Sequence, residues 1–339
     1  KVTKKQKSNH LLVDYLIIGT GNIAKIHIQN ILEKKPKCKF LICKRTNSKH
    51  DEYFDKNKHL IINTIHDVYP IDEQSAAIIC SPASHHLNDI KIMLKKGFHI
   101  FVEKPFLIRT NRIKPIIQLS KIKKKITHVG FNMRYTKRLL KMKQIIKNNV
   151  NTIKHVKIKV FTDFRTWRKN KDFQSTVTFN RNLGGGVINE LSHEVDYLVY
   201  LFGKPTHVKV NEILNQDIQI NVEHHIESTF WYKNLELRIT LEANMLAKNN
   251  KRICEINLDN TKIKINHLAN NIRITDKKIK NIKFDDNINF SYKREISHFF
   301  KSIKNDVESE LSFEKCVDTQ NILNAMHSSL ENNKKIRIQ

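Results

Sequence analysis

The stretch Tyr15-Leu16-Ile17-Ile18-Gly19-Thr20-Gly21-Asn22-Ile23-Ala24 decides the fold. Four residues with apolar bodies run without a break into two glycines one residue apart, and a segment with helical spacing, Ile23–Lys34, follows. An apolar run this short, closed by turn residues, reads as a fully buried strand. The glycines form G-x-G-x-x-A between a strand and a helix. Gly19 permits a tight turn, Gly21 lets a pyrophosphate approach the backbone, and Ala24 lets the helix pack on the sheet. The free N–H groups and positive end of that helix would then face the phosphates.

The same grammar continues outward. Phe40–Cys43, Ala76–Cys80, His99–Val102 and Thr127–Gly130 are further short apolar runs, and Leu87–Lys96 has helical spacing. Strand and helix in alternation predict a parallel sheet with right-handed crossovers. Beyond about Phe131 the style changes. Thr152–Phe164 alternates with the period of a half-buried strand, and one helix is expected over Gly186–Phe202. Strand-like segments follow at Val208–Leu214, Val222–Tyr232, Leu235–Glu242, Ile253–Leu258, Lys262–Asn266, Ile272–Thr275 and Ile279–Phe284. Consecutive strands predict an antiparallel sheet. Helical spacing returns over Tyr292–Asn305 and Phe313–Asn332. The expected division is 1–130, a dinucleotide-binding domain, and 131–339, a substrate-binding and oligomerisation domain whose last helices can pack back on the first.

Composition narrows the partners. With 339 residues, 40% hydrophobic and 28% charged, the chain has the makings of real cores and is not disordered. No apolar run approaches the roughly 18–20 residues of a membrane span. Lys1 to His10 is polar and basic, without the apolar core of a signal peptide, so a cytoplasmic protein is expected. The five cysteines are scattered without metal-type spacing, which argues against a disulfide framework and against a metal site. The net charge of +28 is spread along a chain rich in Asn and Ile, as AT-rich coding sequence produces. No basic stripe with interleaved aromatics stands out, so no nucleic acid partner is expected and polyanion binding ranks last.

Ligands bind at the carboxyl ends of parallel strands. The second strand ends in Cys43-Lys44-Arg45-Thr46, with no acid before Asp51. Two cations where a 2′-phosphate would lie favour NADP over NAD. Two further strands end in Ser81-Pro82 and in Glu103-Lys104-Pro105. Pro105 keeps Lys104 out of the helical region, and a lysine fixed there can donate a hydrogen bond or carry a proton.

These motifs run in order with Gly130-Phe131-Asn132-Met133-Arg134-Tyr135, Gly184-Gly185-Gly186 and Glu190-Leu191-Ser192-His193-Glu194-Val195-Asp196-Tyr197. From about Val13 to its end the chain resembles the Gfo/Idh/MocA oxidoreductases, named after glucose–fructose oxidoreductase and inositol dehydrogenase. The resemblance implies an α/β Rossmann dinucleotide-binding domain plus an α+β domain with a large open, mostly antiparallel sheet. It implies NADP or NAD as cofactor, hydride transfer to or from a sugar hydroxyl or carbonyl, and a homodimer or homotetramer formed through the sheet. Cofactor contacts are expected from Gly19, Gly21, Asn22, Ile23, Lys44, Arg45, Ser81, Pro82, His86, Glu103 and Lys104. Ala83 stands where many relatives have an asparagine.

Lys104 and His193 match the family's active-site lysine and histidine. The family's aspartate before that histidine has Glu190 as counterpart if anchored on the glycines; anchored on the histidine, Asn189 is also possible. Glu190, His193 and Asp196 are spaced to share one face of a single helix, where a carboxylate would orient the imidazole and favour its charged form. The glycine triplet would let backbone and substrate come close. Either Lys104 or His193 could be the main acid or base, and Glu190 completes the expected catalytic set.

The stretch Asp163-Phe164-Arg165-Thr166-Trp167-Arg168 resembles members from bacterial surface-polysaccharide and nonulosonic-acid gene clusters. There Trp167 would stack on a sugar ring, while Arg134, Arg165 or Arg168 would clamp a carboxylate or phosphate. Substrate contacts are thus expected from Asn132, Arg134, Arg165, Trp167, Asn189 and His193. A non-catalytic dinucleotide-sensing relative is the competing class, and the retained Lys104 and His193 argue against it.

Overall fold

The computed structural model describes residues 10–44, 53–54, 60–108, 112–147, 152–167, 173, 176–214, 220–233 and 237–339. Arg45 and Arg168 lie outside them, and so does the side chain of Trp167. The chain divides into two compact units. One comprises Lys1–Phe106, Asn111–Gly130 and Tyr292–Glu314; the other comprises Leu107–Thr110, Phe131–Ser291 and Lys315–Gln339.

In the first unit, β1 (Leu11–Val13) pairs in parallel with β5 (Val68–Pro70) as a separate ribbon. The main sheet contains β2 (Tyr15–Ile18), β3 (Phe40–Cys43), β4 (Ile61–Ile62), β6 (Ala76–Ile79), β7 (His99–Glu103) and β8 (Thr127–Gly130). They are ordered β4-β3-β2-β6-β7-β8 and all paired in parallel. Every residue of β2, β6, β7 and β8 is buried. That is why these strands read as unbroken apolar runs rather than alternating ones. Helices α1 (Asn22–Lys34), α2 (Ala83–Lys96) and α3 (Ile113–Ile122) follow β2, β6 and β7. Ile17, Ile78 and Phe101 of the sheet pack with Ala24, Ile28 and Ile31 of α1, and with Ile296, Phe299 and Ile303 from far along the chain. The register aligns Ile18 with Ile79 and Ile79 with Val102. Gly19, Ser81 and Lys104 therefore leave the sheet at one edge.

The second unit is built on a nine-stranded sheet. Its strands are β9 (His155–Asp163), β10 (His207–Glu212), β11 (His225–Trp231), β12 (Arg238–Asn244), β13 (Leu246–Asn257), β14 (Lys262–Asn266), β15 (Asn271–Thr275), β16 (Ile279–Lys283) and β17 (Ile336–Arg337). The order is β16-β15-β14-β13-β9-β12-β11-β10-β17, with β9 and β12 parallel and the other neighbours antiparallel. Its helices are α4 (Lys137–Lys147), α5 (Val187–Glu190), α6 (Ser192–Phe202) and α8 (Val317–Asn332). Between α6 and α8 comes α7 (Ile288–Lys304), which belongs to the first unit from Tyr292 onward. Val156, Ile158, Ile239, Leu241, Cys254 and Ile256 share one sheet face and pack with Leu139, Met142, Leu198, Ile322 and Met326.

The sequence reading named none of β1, β4, β5, β17, α3 and α4, and two of the elements it did name differ from it. The single helix expected over Gly186–Phe202 is two, broken at Leu191 (φ −101°, ψ 27°). Strand β13 begins at Leu246, seven residues before the alternation at Ile253 becomes legible, because Lys248 to Lys251 are all polar and exposed. Its register shifts between Leu246 and Lys251, which masks the period further.

Candidate active site

In the first unit the site begins at Gly19. Its φ is +112°, and a Cβ there would lie 2.7 Å from the Cys80 carbonyl oxygen and 3.0 Å from Ser81 N. The ends of β2 and β6 meet too closely for any side chain. Gly21, by contrast, has an ordinary φ of −77° and no atom within 4 Å of the position its Cβ would take. It caps α1 with no side-chain hydrogen bond, and no acid stands in the first turn formed by Asn22 and Ile23 onward. A Cβ would fill the cradle over the helix N-terminus, whose partial positive charge suits a phosphate. These residues fit the pyrophosphate of a dinucleotide.

Lys44 follows β3, is half-buried, and donates its backbone N–H to the Ile62 carbonyl at 2.8 Å. Ser81 donates its hydroxyl to Asp89 Oδ2 at 2.9 Å, and Pro82 caps α2 without a side-chain hydrogen bond. His86 and Glu103 correct the sequence reading of cofactor contacts. The His86 ring is buried, with Nε2 2.8 Å from the Ser81 carbonyl and Nδ1 3.1 Å from the carbonyls of Pro105 and Phe106. Burial pushes its pKa down. Glu103 Oε1 lies 2.7 Å from His27 Nε2 of α1, and Oε2 accepts the Lys104 N–H at 3.3 Å. Both side chains are taken up inside the protein. A Cβ on Gly130 would come within 3.1 Å of that carboxylate, which accounts for the glycine ending β8. Lys104 itself is half-buried at the sheet edge, and its peptide bond to Pro105 is cis.

In the second unit, His193 is half-buried in the first turn of α6, edge-on to Phe131 with ring centroids 6.0 Å apart. Glu190, also half-buried, ends α5 before the break at Leu191, so the shared face expected for Glu190, His193 and Asp196 on one helix does not exist. Asp196 instead receives Arg134 Nε at 2.8 Å and Nη2 at 2.6 Å, with Thr319 Oγ1 at 3.3 Å. This corrects the expectation of an Arg134 clamp on substrate: the two-donor edge of the guanidinium is already engaged. Arg165 is engaged likewise, giving Nε and Nη2 to Asp163 at 2.8 Å each, which holds that carboxyl below its ordinary range. Asn132 donates Nδ2 to Ser291 Oγ at 2.7 Å, and Asn189 Oδ1 lies 3.1 Å from His327 Nε2. Trp167 ends a short 3-10 helix, Phe164–Trp167.

Two glycines of the triplet, Gly185 and Gly186, are explained by protein atoms. A Cβ on Gly185 would lie 2.4 Å from the carbonyl oxygens of Thr178 and Val177, and one on Gly186 would lie 2.3 Å from Glu223 Oε1. Arg252, Glu223 and His327 are site neighbours that the sequence reading missed. Arg252 Nε and Nη2 grip Glu194 at 2.7 and 3.1 Å, one residue after His193. Nothing local marks Arg252 among the surrounding cations, because its partner is 58 residues away. Among the described residues no group of three His, Cys, Asp or Glu could hold a metal, and no helix is long and apolar enough to cross a membrane.

Among solved structures, an oxidoreductase from Agrobacterium radiobacter in complex with NAD+, L-tartaric acid and magnesium aligns with a TM-score of 0.81 at 11% identity, covering 96% of this chain and 98% of that one. A levoglucosan dehydrogenase in complex with NADH and levoglucosan aligns at 0.78 with 17% identity, covering 96% and 99%. Myo-inositol 2-dehydrogenase from Lactobacillus plantarum aligns at 0.77 with 17% identity, covering 97% and 100%. In sequence, an oxidoreductase of Bacillus subtilis is 28% identical over 190 residues, 55% of this chain and 53% of that protein. Myo-inositol 2-dehydrogenase of Thermotoga maritima is 23% identical over 144 residues, 41% and 42%. The chain thus spans about half the length of these two curated relatives. Residues 13–131 match the family model described as oxidoreductase family, NAD-binding Rossmann fold. Residues 143–338 match its companion, the C-terminal alpha/beta domain, and the chain therefore belongs to the Gfo/Idh/MocA oxidoreductase family.

Proposed function

We propose that this chain transfers a hydride between a nicotinamide dinucleotide and a hydroxyl or carbonyl carbon of a sugar or sugar derivative. The observation that carries the reading is Lys104, set at the same edge of the parallel sheet as the Gly19–Gly21 turn. The dinucleotide, when bound, supplies or accepts the hydride. The protein must then handle the matching proton. In the oxidising direction the substrate O–H proton passes to Lys104 or to His193 as the carbon gives up its hydride. In the reducing direction the same group returns the proton to the new alkoxide.

Neighbours named for levoglucosan, myo-inositol and UDP-N-acetylglucosamine support a polyol, sugar or nucleotide sugar as the substrate class. The Asp163–Arg168 stretch supports a place in surface-glycan or nonulosonic-acid biosynthesis. Lys44 and Arg45 support NADP ahead of NAD. A cytoplasmic homodimer or homotetramer formed through the nine-stranded sheet completes the reading.

The test is a panel of myo-inositol, levoglucosan, UDP-N-acetylglucosamine and free amino sugars with NAD+ and NADP+, following reduced nicotinamide by absorbance. Lys104→Met is expected to lower turnover by about 100-fold or more, the usual worth of a positioned acid or base. Its affinity for the reduced dinucleotide, read by fluorescence titration, is expected to stay within about threefold, or about 0.65 kcal/mol of binding free energy. A variant that turns over at the wild-type rate refutes the assignment.

A further inference from the structure

His86 stands in the first turn of α2 with its ring 1% exposed, between two turns of the ligand-binding edge. Nε2 lies 2.8 Å from the Ser81 carbonyl oxygen, and Nδ1 lies 3.1 Å from the carbonyl oxygens of both Pro105 and Phe106. All three neighbours are acceptors, so a neutral ring must turn a lone pair toward one side. Toward Ser81 that lone pair meets one carbonyl; toward the other turn it would meet two. On that count the neutral ring is assigned the tautomer with its proton on Nδ1, as in the imidazolium. That proton is shared between the two carbonyls that come directly after Lys104.

The rest of the edge is tied in the same manner. Ser81 is held a second time through its hydroxyl, given to Asp89 at 2.9 Å one turn further along α2. On the upstream side Glu103 is fixed by His27 at 2.7 Å and accepts the Lys104 N–H at 3.3 Å. Lys104 thus sits between two anchored neighbours, one held through a carboxylate and the other through an imidazole.

We infer that His86 is a positioning residue, whose Nδ1–H holds the Pro105–Phe106 turn so that the Lys104 side chain leaves the sheet edge in one fixed direction. Its worth to catalysis rests on the reading of Lys104 as a proton carrier. Its effect on the turn does not.

Asparagine at this position places an amide nitrogen close to Nδ1, whereas glutamine places one close to Nε2. His86→Asn keeps the donor facing Pro105 and Phe106, and His86→Gln keeps only the donor facing Ser81. The variants are compared without substrate, by hydrogen exchange of peptides spanning 103–108 and by the rate at which acetic anhydride labels Lys104, both read by mass spectrometry. His86→Gln is expected to change both rates by about threefold or more, as local opening does, while His86→Asn stays close to wild type. Labelling of Lys209 and Lys264, on strands of the other sheet, is expected to be unchanged in both. Equal behaviour of the two variants, or no change in either, overturns the inference.

Turnover separates this result from the reading beneath it. An active Lys104→Met sinks the proton-carrier assignment and leaves the exchange result standing. An inactive Lys104→Met beside a fully active His86→Gln sinks the role of His86 alone. If His86→Gln does not fold, nitrogen-labelled histidine spectra of the wild type decide. A His86 Nδ1–H protected from water supports the staple, and a ring protonated on Nε2 only overturns it.

Discussion

His267 is a histidine the native protein keeps uncharged. Its ring is buried, and its Nδ1 accepts Arg138 Nε–H at 3.1 Å. Burial, with the cations of Arg138 and Arg252 close by, pushes its pKa well below the ordinary 6.5. Asp286 stands 3.6 Å from Arg138 and Asn270 accepts its Nη1 at 2.7 Å, so the guanidinium is held in place against the ring. In the unfolded chain the same histidine takes up a proton as pH falls through its ordinary value. The unfolded state then binds more protons than the native one, and stability falls with pH by about 1.4 kcal/mol per unit for such a group. His86 and His99, pushed down chiefly by burial, act in the same sense. Denaturation midpoints are therefore expected to fall between about pH 7.5 and 5.5, and His267→Gln to show a slope shallower by about one proton. An unchanged slope in that variant would mean that His267 is charged in the native state.

The two glycine turns look alike as sequence and differ as structure. Gly186 caps α5 at φ +104° and ψ 154°, a region essentially closed to other residues, with the Glu223 carboxylate 2.3 Å from where a Cβ would stand. Gly186→Ala is expected to cost about 3 kcal/mol in chemical denaturation, from backbone strain and displacement of a buried acid. Gly21 has neither constraint, so Gly21→Ala is expected to keep wild-type stability and lose affinity for reduced dinucleotide. Loss of both together would place Gly21 with the structural glycines. Local pattern made much of this legible: the strands from Tyr15, Phe40, Ala76, His99 and Thr127 lie where their apolar runs lie. Less legible was whatever depends on a distant partner. The carboxylate behind Gly186 is 37 residues on by number, and the pairs Arg134–Asp196 and Glu103–His27 span 62 and 76 residues. No period or motif carries that information. The break at Leu191 was hidden similarly, since a helix interrupted for one residue keeps its apolar spacing.

At the scale of the whole chain, the first unit is not a contiguous segment. Its sheet ends at Gly130, yet its core includes Ile296, Phe299 and Ile303 of α7. Polar groups depend on the same return: His128, fully buried in β8, has Ser309 Oγ at 2.7 Å and Glu295 Oε1 at 3.4 Å. The N–H of Val129 donates to the Leu311 carbonyl at 2.9 Å. Burying three large apolar side chains contributes about 5–9 kcal/mol in all. The net stability of a domain is commonly about 5–15 kcal/mol, so the contribution of α7 is of the same order as the whole margin. A chain ending at Gly130 should therefore bind a hydrophobic dye and melt without a cooperative transition, because His128 loses Ser309 and Glu295 and Phe101 is uncovered on one side. Joining Gly130 through a short flexible linker to residues 292–314 should restore a cooperative melt and, with it, binding of reduced dinucleotide. If the chain ending at Gly130 unfolds cooperatively on its own, the late helix decorates the sheet and does not complete it.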